Sequence, residues 1–178
     1  MKRKAGNDRP YRRLAWLAGL VTLAACGERD TAPAGPPPLT AATLGDQDIK
    51  PVAVYLREAP YATADAALGD RLLLQCRSCH NLEAGAGHTL GPNLHGMFGR
   101  RVGGAPGFGY TRALSEADFV WTPRALDAWL EFPQRFLPGN AMAWPGMRNA
   151  DDRAALIASL MRRTDTGEAP ASGGSTGN

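Results

Sequence analysis

Three short segments of the chain carry the apolar spacing of amphipathic helices. The first leads into Cys76, and its apolar stripe is formed by Leu68, Leu72, Leu73, Leu74 and Gln75. The second has marked ends, because Thr122 is suited to cap it, Pro123 takes its first position and Pro133 stops it. Its apolar positions are Leu126, Trp129 and Leu130.

The third helix is predicted to begin at Asn149. Acidic residues fill its first turn and arginines its last, an arrangement that suits the helix dipole. Its predicted buried face comprises Leu156, Ile157, Leu160 and Met161. No segment alternates clearly enough to indicate a strand, and 21 Gly and 14 Pro require long loops, chiefly over residues 81–116. The sequence therefore predicts an all-α domain over residues 64–163.

Residues 1–25 have the anatomy of an export signal. A basic segment precedes an apolar run of 12 residues, which spans about 18 Å and is too short for the roughly 30 Å hydrocarbon layer of a membrane. The run ends in Leu23-Ala-Ala-Cys26, which resembles the bacterial lipobox. We predict a lipoprotein signal peptide over residues 1–25 and lipidation of Cys26. The alternative is an ordinary cleavage site with an incidental cysteine.

Residues 26–63 are predicted to tether the domain to a membrane. Thr31–Thr40 is rich in proline and favours an extended chain that buries no core. If all 37 residues from Gly27 to Thr63 were flexible, their root-mean-square reach would be about 35 Å. The stretch Ile49–Tyr61 is apolar enough to lie against the domain, and the sequence leaves this open. Residues 164–178 are predicted to be a disordered tail.

The formal net charge of +3 is concentrated in the predicted signal peptide. Six of the 20 basic residues and one of the 17 acidic residues lie in the first 25 positions, which leaves 14 basic and 16 acidic residues. The rest of the chain is therefore nearly neutral. Because nucleic-acid binding needs a basic surface, we predict no nucleic-acid partner.

The chemistry-bearing residues are concentrated in Cys76-Arg-Ser-Cys79-His80. Two thiols three positions apart, followed by an imidazole, allow one turn to form two thioether bonds to a haem while His80 ligates the iron. The same spacing occurs in zinc and dithiol redox sites. A zinc site would need another ligand, from His88 or His95, and a dithiol site would need a βαβ context that the sequence does not indicate. Two cysteines on haem and one on lipid would leave no orphan thiol.

A haem with one axial histidine needs a sixth ligand or an open site, and methionine is the donor that raises the reduction potential. Met161 belongs to the apolar face of the third helix, and Met97 lies close in sequence to the proximal loop. Met142 lies in an irregular loop after a proline-terminated helix, where a side chain can reach over a flat cofactor. Met147 would take its place if this loop shifted.

The compact segment resembles a class I cytochrome c of the mitochondrial type. The motifs that match the family in order and spacing, over about 80 residues, are Cys76–His80, Gly91–Arg100, Ala105–Thr111, Trp121 and Pro138–Met142. The resemblance implies the class I cytochrome c fold, with short helices and long Gly- and Pro-rich loops around one covalently attached haem c. It implies an electron-transfer protein rather than an enzyme.

The resemblance also implies roles for individual residues. Cys76 and Cys79 would carry the haem, with His80 and Met142 as its axial ligands. The carbonyl of Pro92 would accept a hydrogen bond from the proximal ring. The residues that would surround the haem propionates are Arg100, Tyr110, Trp121 and Asn140.

Three departures from the family pattern stand out. The first helix is one residue shorter between Gly69 and Cys76 than in mitochondrial members, and Ser159 replaces a common aromatic residue. Residues 64–163 contain no lysine, with 11 arginines and 9 acidic residues, so the lysine-ringed docking face of mitochondrial members is missing.

The sequence therefore predicts a monohaem electron carrier, lipid-anchored on the periplasmic side of a bacterial membrane. Its expected partners are membrane redox complexes of respiration or photosynthesis, such as a quinol-oxidising cytochrome complex, a terminal oxidase or a dehydrogenase. The alternatives are a haem subunit fixed to a dehydrogenase or oxidase, a peroxidase or gas-binding cytochrome with a labile Met142, and a zinc module.

Overall fold

Three helices of the computed structural model lie where the sequence predicts them, and within the described residues three further short helices were not predicted, one of them inside the predicted loop over residues 81–116. The structure describes residues 39–45 and 47–167; the predicted signal peptide, Cys26 and all of the predicted tail beyond residue 167 lie outside this range. The described helices are α1 (Val52–Tyr55), α2 (Ala66–Arg77), α3 (Arg112–Glu116), α4 (Pro123–Glu131), α5 (Pro133–Phe136) and α6 (Ala150–Thr164), with 3-10 turns at Ala41–Thr43 and Tyr61–Thr63. Within the described residues there is no strand, only an isolated bridge between Arg101 and Val120.

The predicted cap at Thr122 and the predicted start of the third helix at Asn149 are confirmed. The Thr122 hydroxyl accepts a hydrogen bond from the Ala125 N–H at the start of α4, and the Asn149 side chain accepts from two N–H groups at the start of α6. Pro133 follows α4 as predicted, and it also takes the first position of the short helix α5. Within the described residues, no helix is both long and apolar enough to cross a membrane.

Helices α2 and α6 form the main packing contact of the domain, and Gly69 sets how closely they approach. A Cβ atom at Gly69 would lie 2.2 Å from the Ala155 carbonyl oxygen. The face of α2 that packs is therefore centred on Gly69 and Leu73, while Leu74 is 66% exposed. The predicted stripe is wrong in this respect, because the approach of the α6 backbone selects the glycine side of the helix. The predicted α6 face is confirmed, since its four apolar residues are all buried.

An aromatic cluster connects α4 and α5 to the loop that precedes them. Trp121 contacts Phe119 edge-to-face at 5.1 Å between ring centroids and Trp129 at 5.4 Å. Phe136 of α5 packs against both Phe119 and Trp129. Edge-to-face pairs of this kind add to the stabilisation from buried area, so Trp121 and Trp129 have well-defined positions.

The described part of the predicted tether packs against the domain. This segment, residues 39–63 apart from Asp46, is called the strap below. Leu44 is 2% exposed, Val52 is buried, and Tyr55, Leu56 and Tyr61 pack against the same core. The described residues of the strap therefore belong to the domain and do not extend the reach of a tether.

A hydrogen-bonded cluster on the α2–α6 contact makes stability depend on pH. The Ser159 hydroxyl and the Arg163 guanidinium both donate to the Asp70 carboxylate, and they lower the pKa of this group. Because the folded pKa lies below the ordinary value of about 3.9, the contribution is present above that pH and is lost as the pH falls through the lowered pKa.

We expect Ser159→Ala to reduce the loss of stability in acid, because the largest cause of the lowered Asp70 pKa is removed. Denaturant unfolding measured from neutral pH to about pH 3 checks this. Ser115→Ala removes an exposed hydroxyl that donates only to backbone carbonyls and serves as the control. An identical pH dependence for wild type and Ser159→Ala would contradict the assignment.

Candidate haem-binding site

The Cys76–His80 motif forms a tight turn at the end of α2. The N–H groups of Cys79 and His80 both donate to the Cys76 carbonyl, at 3.1 and 2.9 Å. Cys76 and Cys79 are free thiols of intermediate exposure, and His80 is half-buried beside them. The turn therefore presents two thiols and an imidazole within one short stretch of backbone.

The His80 ring is held in one orientation by the loop that follows. Its Nδ1 lies 2.7 Å from the Pro92 carbonyl oxygen, which can only accept, so Nδ1 carries the proton and Nε2 keeps its lone pair. Burial lowers the pKa of His80, and the Pro92 hydrogen bond opposes this in part. The Gly91 N–H donates to the Cys79 carbonyl at 2.8 Å, which closes the loop onto the turn.

Gly91 leaves the space that the ring occupies. A Cβ atom there would lie 2.3 Å from His80 Cε1. We expect Gly91→Ala to displace the imidazole from Pro92 and to lower the free energy of unfolding by about 1–3 kcal/mol, the usual cost of overpacking. Denaturant unfolding of the Gly91→Ala and Gly87→Ala variants measures this, because a Cβ at Gly87 meets nothing within 4 Å. Equal stability of the two variants would show that the ring is not confined.

The surroundings of the cysteines differ from those of a zinc or dithiol redox site. Burial raises the pKa of Cys76 to about 11, whereas reactive dithiols have a lowered pKa. Residues 39–45 and 47–167 contain no group of three or more His, Cys, Asp or Glu side chains that could hold a metal ion. Both ring nitrogens of His88 are engaged in its own loop, with the Asn93 N–H and the Pro106 carbonyl.

Met142 receives a hydrogen bond from α4. The Trp129 indole N–H donates to the Met142 sulfur at 3.2 Å. A thioether sulfur has two lone pairs, so this bond orients the side chain and leaves one pair for another partner. The helical spacing of Trp129 predicted a core residue, and its role as a donor to Met142 was not visible in the sequence. Met161 is buried in the core, as expected for the apolar face of α6, and Met97 is buried as well.

Asn140 holds the start of the Met142 loop. Its Nδ2 group donates to the carbonyls of Pro133 and Leu137, and its Oδ1 accepts from the Met142 N–H at 2.9 Å. The sequence assigned Asn140 to a haem propionate. In the structure both Nδ2 protons are donated to the backbone and Oδ1 holds the Met142 N–H, so Asn140 positions the start of this loop; its contact with a propionate stays a prediction.

Arg153 of α6 holds the other end of this loop. It is 7% exposed, pairs with Asp127 at 2.7 Å, and donates to the carbonyls of Met147 and Arg148 at 2.8 and 2.9 Å. The Met147 N–H donates to the Leu130 carbonyl at 2.8 Å. The loop between Asn140 and Arg148 is therefore fixed at both ends to α4, α5 and α6.

The other residues assigned to the propionates lie in one region of the fold. Arg100 donates to the carbonyls of Asn93 and His95, and burial lowers its pKa. The Tyr110 hydroxyl accepts from the Ala105 N–H at 3.3 Å, and burial raises its pKa. The backbone N–H of Trp121 donates to the Arg100 carbonyl at 2.9 Å, which brings Trp121 beside Arg100.

Two buried polar atoms that the sequence did not assign fit a ligand with carboxylates. Within the described residues, Thr111 Oγ1, Trp144 Nε1 and Arg135 Nε are buried and have no hydrogen-bond partner, although Arg135 pairs with Glu131 through its Nη2. Orphan donors of this kind are costly unless a ligand or water satisfies them. Thr111 follows Tyr110 in a matched motif, and Trp144 lies two residues after Met142. Side chains only partly buried against the core include Cys76, Leu94, Phe98, Leu114, Trp121 and Met142. An apolar group with acidic substituents, such as a haem, fits these residues.

Comparison with known proteins identifies the family. No family model matches the chain. A cytochrome c of Chlamydomonas reinhardtii is 42% identical over 108 residues, which are 60% of this chain and 95% of the relative. Cytochromes c of Kluyveromyces lactis and Arabidopsis thaliana are 36% and 40% identical, over 58% and 56% of this chain and 96% and 90% of theirs.

The chain belongs to the cytochrome c family. The class I cytochrome c fold expected from the sequence is confirmed by these relatives together with the all-α structure. As a cytochrome c, the chain carries one covalently attached haem c and acts as an electron carrier rather than as an enzyme.

Proposed function

We propose that this cytochrome c is tethered to a membrane and carries one electron at a time between redox complexes, with His80 and Met142 as axial ligands. The hydrogen bond from His80 Nδ1 to Pro92 is the main support, because it leaves Nε2 unprotonated and free to ligate iron. Trp129 and Asn140 orient Met142 from two directions. Thr111 and Trp144 offer unpaired donors for the propionates.

The protein residues hold the site in one geometry. A change in the charge of the iron then requires little change of structure. When bound, the haem supplies the ferric–ferrous couple. Pro92 fixes the His80 ring, Asn140 and Arg153 fix the Met142 loop, and the contact between the Trp121 and Trp129 rings holds these side chains in place.

We expect Trp129→Phe to lower the midpoint potential of the haem-loaded protein. The indole N–H draws electron density from the Met142 sulfur and weakens its donation to ferric iron, so removing it favours the ferric state. One weak hydrogen bond of about 0.5–1 kcal/mol corresponds to about 20–40 mV for one electron. Spectroelectrochemical titration measures the shift, and Trp129→Tyr, which keeps a donor on the ring, should shift less. A potential that rises in Trp129→Phe would contradict this role.

The tether is proposed to run from a lipidated Cys26 to Leu39, where the strap begins. These 13 residues span at most about 45 Å fully extended, enough to clear a lipid headgroup layer. The lipid would place the domain on the periplasmic side of a bacterial membrane. There it would meet partners such as a quinol-oxidising cytochrome complex, a terminal oxidase or a dehydrogenase. Confinement near such complexes suits a weak, short-lived docking surface.

Expression of wild type and Cys26→Ala in a bacterium with haem-attachment and lipoprotein machinery tests the anchor. We expect wild type in the membrane fraction with incorporated radiolabelled fatty acid, and Cys26→Ala unlabelled and extractable without detergent. An unlabelled wild type would contradict lipidation. Stoichiometric co-purification of a second protein would favour the alternative of a fixed haem subunit.

Carbon monoxide distinguishes the carrier from a gas-binding or peroxidase-type cytochrome. Because Met142 is held by Asn140 and Trp129, we expect native ferrous protein to bind the gas slowly or not at all. Rapid binding to native protein would favour a labile Met142 and the enzyme-class alternative.

A further inference from the structure

The strap contributes one side chain that pairs with backbone next to the proposed haem site. The Gln47 amide nitrogen donates to the Val120 carbonyl at 2.7 Å, and the Gln47 amide oxygen accepts from the Val120 N–H at 2.7 Å. The same nitrogen lies 3.0 Å from the Thr122 hydroxyl. One side-chain amide thus satisfies both backbone groups of Val120.

The other edge of this segment is already paired. The Trp121 N–H donates to the Arg100 carbonyl at 2.9 Å, the Gly99 N–H donates to the Trp121 carbonyl, and the Val102 N–H donates to the Phe119 carbonyl. Residues 119–122 therefore lie between residues 99–102 on one side and Gln47 on the other. The Gln47 side chain pairs with Val120 through one donor and one acceptor, as the backbone of a neighbouring strand would.

Gln47 is itself held in position by the strap around it. Arg124 of α4 donates to the Leu44 carbonyl at 3.0 Å, and the Leu44 side chain is buried. The Tyr55 hydroxyl donates to the Asp48 carbonyl at 2.7 Å and accepts from the Lys50 N–H. Anchors on both sides of Gln47 mean that its amide needs little further ordering to pair with Val120.

We propose that Gln47 is a positioning residue for the propionate side of the haem site. It acts through Val120 on the adjacent Trp121, and through the paired segment on Arg100. This inference rests on the proposed function, because it takes Trp121 and Arg100 to face the propionates. Loss of the Gln47 amide would loosen this side of the site and admit water, which stabilises the more highly charged ferric state.

The test compares Gln47→Met with Lys50→Met in haem-loaded protein. The first removes the amide and keeps the chain length, and the second removes the exposed Lys50–Glu58 ion pair of the same strap. We expect Gln47→Met alone to lower the midpoint potential and to speed amide hydrogen exchange of Val120 by about tenfold.

The outcomes separate a positioning role from a purely structural one. Faster exchange at Val120 with an unchanged midpoint potential would overturn the proposal, because Gln47 would then stabilise the fold without affecting the site. An equal shift of potential in Lys50→Met would also overturn it. A wild-type protein without covalent haem would overturn the proposed function and this inference together, whereas an unchanged potential in haem-loaded Gln47→Met would overturn the inference alone.

Discussion

Replacing Met142 with leucine is expected to remove the sulfur-to-iron charge-transfer band and to lower the midpoint potential strongly. Methionine stabilises ferrous iron, and axial ligands set potentials over roughly 0.8 V, so we expect the shift to be a large fraction of that range. Loss of Met142 should also open the iron to carbon monoxide. Visible spectra and a redox titration of the haem-loaded variant measure all three changes.

Met147→Leu is the matched control for this experiment. Met147 lies in the same loop and is also partly buried, but its loop end is tied to Leu130 and Arg153 by backbone contacts that the substitution leaves intact. We therefore expect Met147→Leu to keep the charge-transfer band and the potential. The reverse result, with the band lost in Met147→Leu and kept in Met142→Leu, would show that the loop is shifted.

Gly69→Ala is expected to cause the largest loss of stability among single methyl additions in α2. The added Cβ would lie 2.2 Å from the Ala155 carbonyl oxygen and 3.1 Å from the Ser159 Cβ, so α2 and α6 would have to separate. Overpacking of this kind costs about 1–3 kcal/mol, and a contact with backbone places it near the upper end. Denaturant unfolding of the haem-loaded protein gives the difference.

Gly87→Ala again provides the comparison, because its Cβ would meet nothing within 4 Å. It should leave the free energy of unfolding unchanged or slightly raised. A Gly69→Ala variant as stable as Gly87→Ala would mean that the close approach of α2 and α6 does not hold the fold together.

Local signals in the sequence predicted the helix ends well. Thr122, Pro123 and Asn149 act on backbone groups within their own turn, so their effect does not depend on the rest of the fold. The buried face of α2 was harder to predict, because it is selected by the α6 backbone more than 80 residues later in the chain. A run of leucines alone does not show which of them meets that backbone.

Some residues of the candidate site could likewise be predicted from local sequence, and others could not. The Cys76–His80 motif carries its chemistry within five residues, and the structure adds the His80–Pro92 hydrogen bond that the family resemblance implies. The donors Trp129 and Gln47 could not be found from the sequence, because each has an ordinary local role, as a core aromatic or a polar loop residue. Only the fold brings them to Met142 and Val120.

Asn140 shows what the structure adds to the family resemblance. Its position in the matched motif implies a propionate contact, and its side-chain amide has both donor and acceptor groups. The structure uses them to close the loop on Pro133, Leu137 and Met142. Thr111 Oγ1 and Trp144 Nε1 are buried without a hydrogen-bond partner among the described residues, and this is why the proposed function assigns them to the propionates.

An absorption spectrum of the wild-type protein, produced with intact haem-attachment machinery and recorded oxidised and reduced, tests the central claim most directly. We predict a haem that stays with the denatured chain, shows the spectrum of a haem with both vinyl groups saturated, and has a far-red sulfur-to-iron band in the native ferric state. A colourless protein, a haem that is extracted on denaturation, or a native ferric spectrum without that band would contradict attachment at Cys76 and Cys79 with His80 and Met142 as ligands.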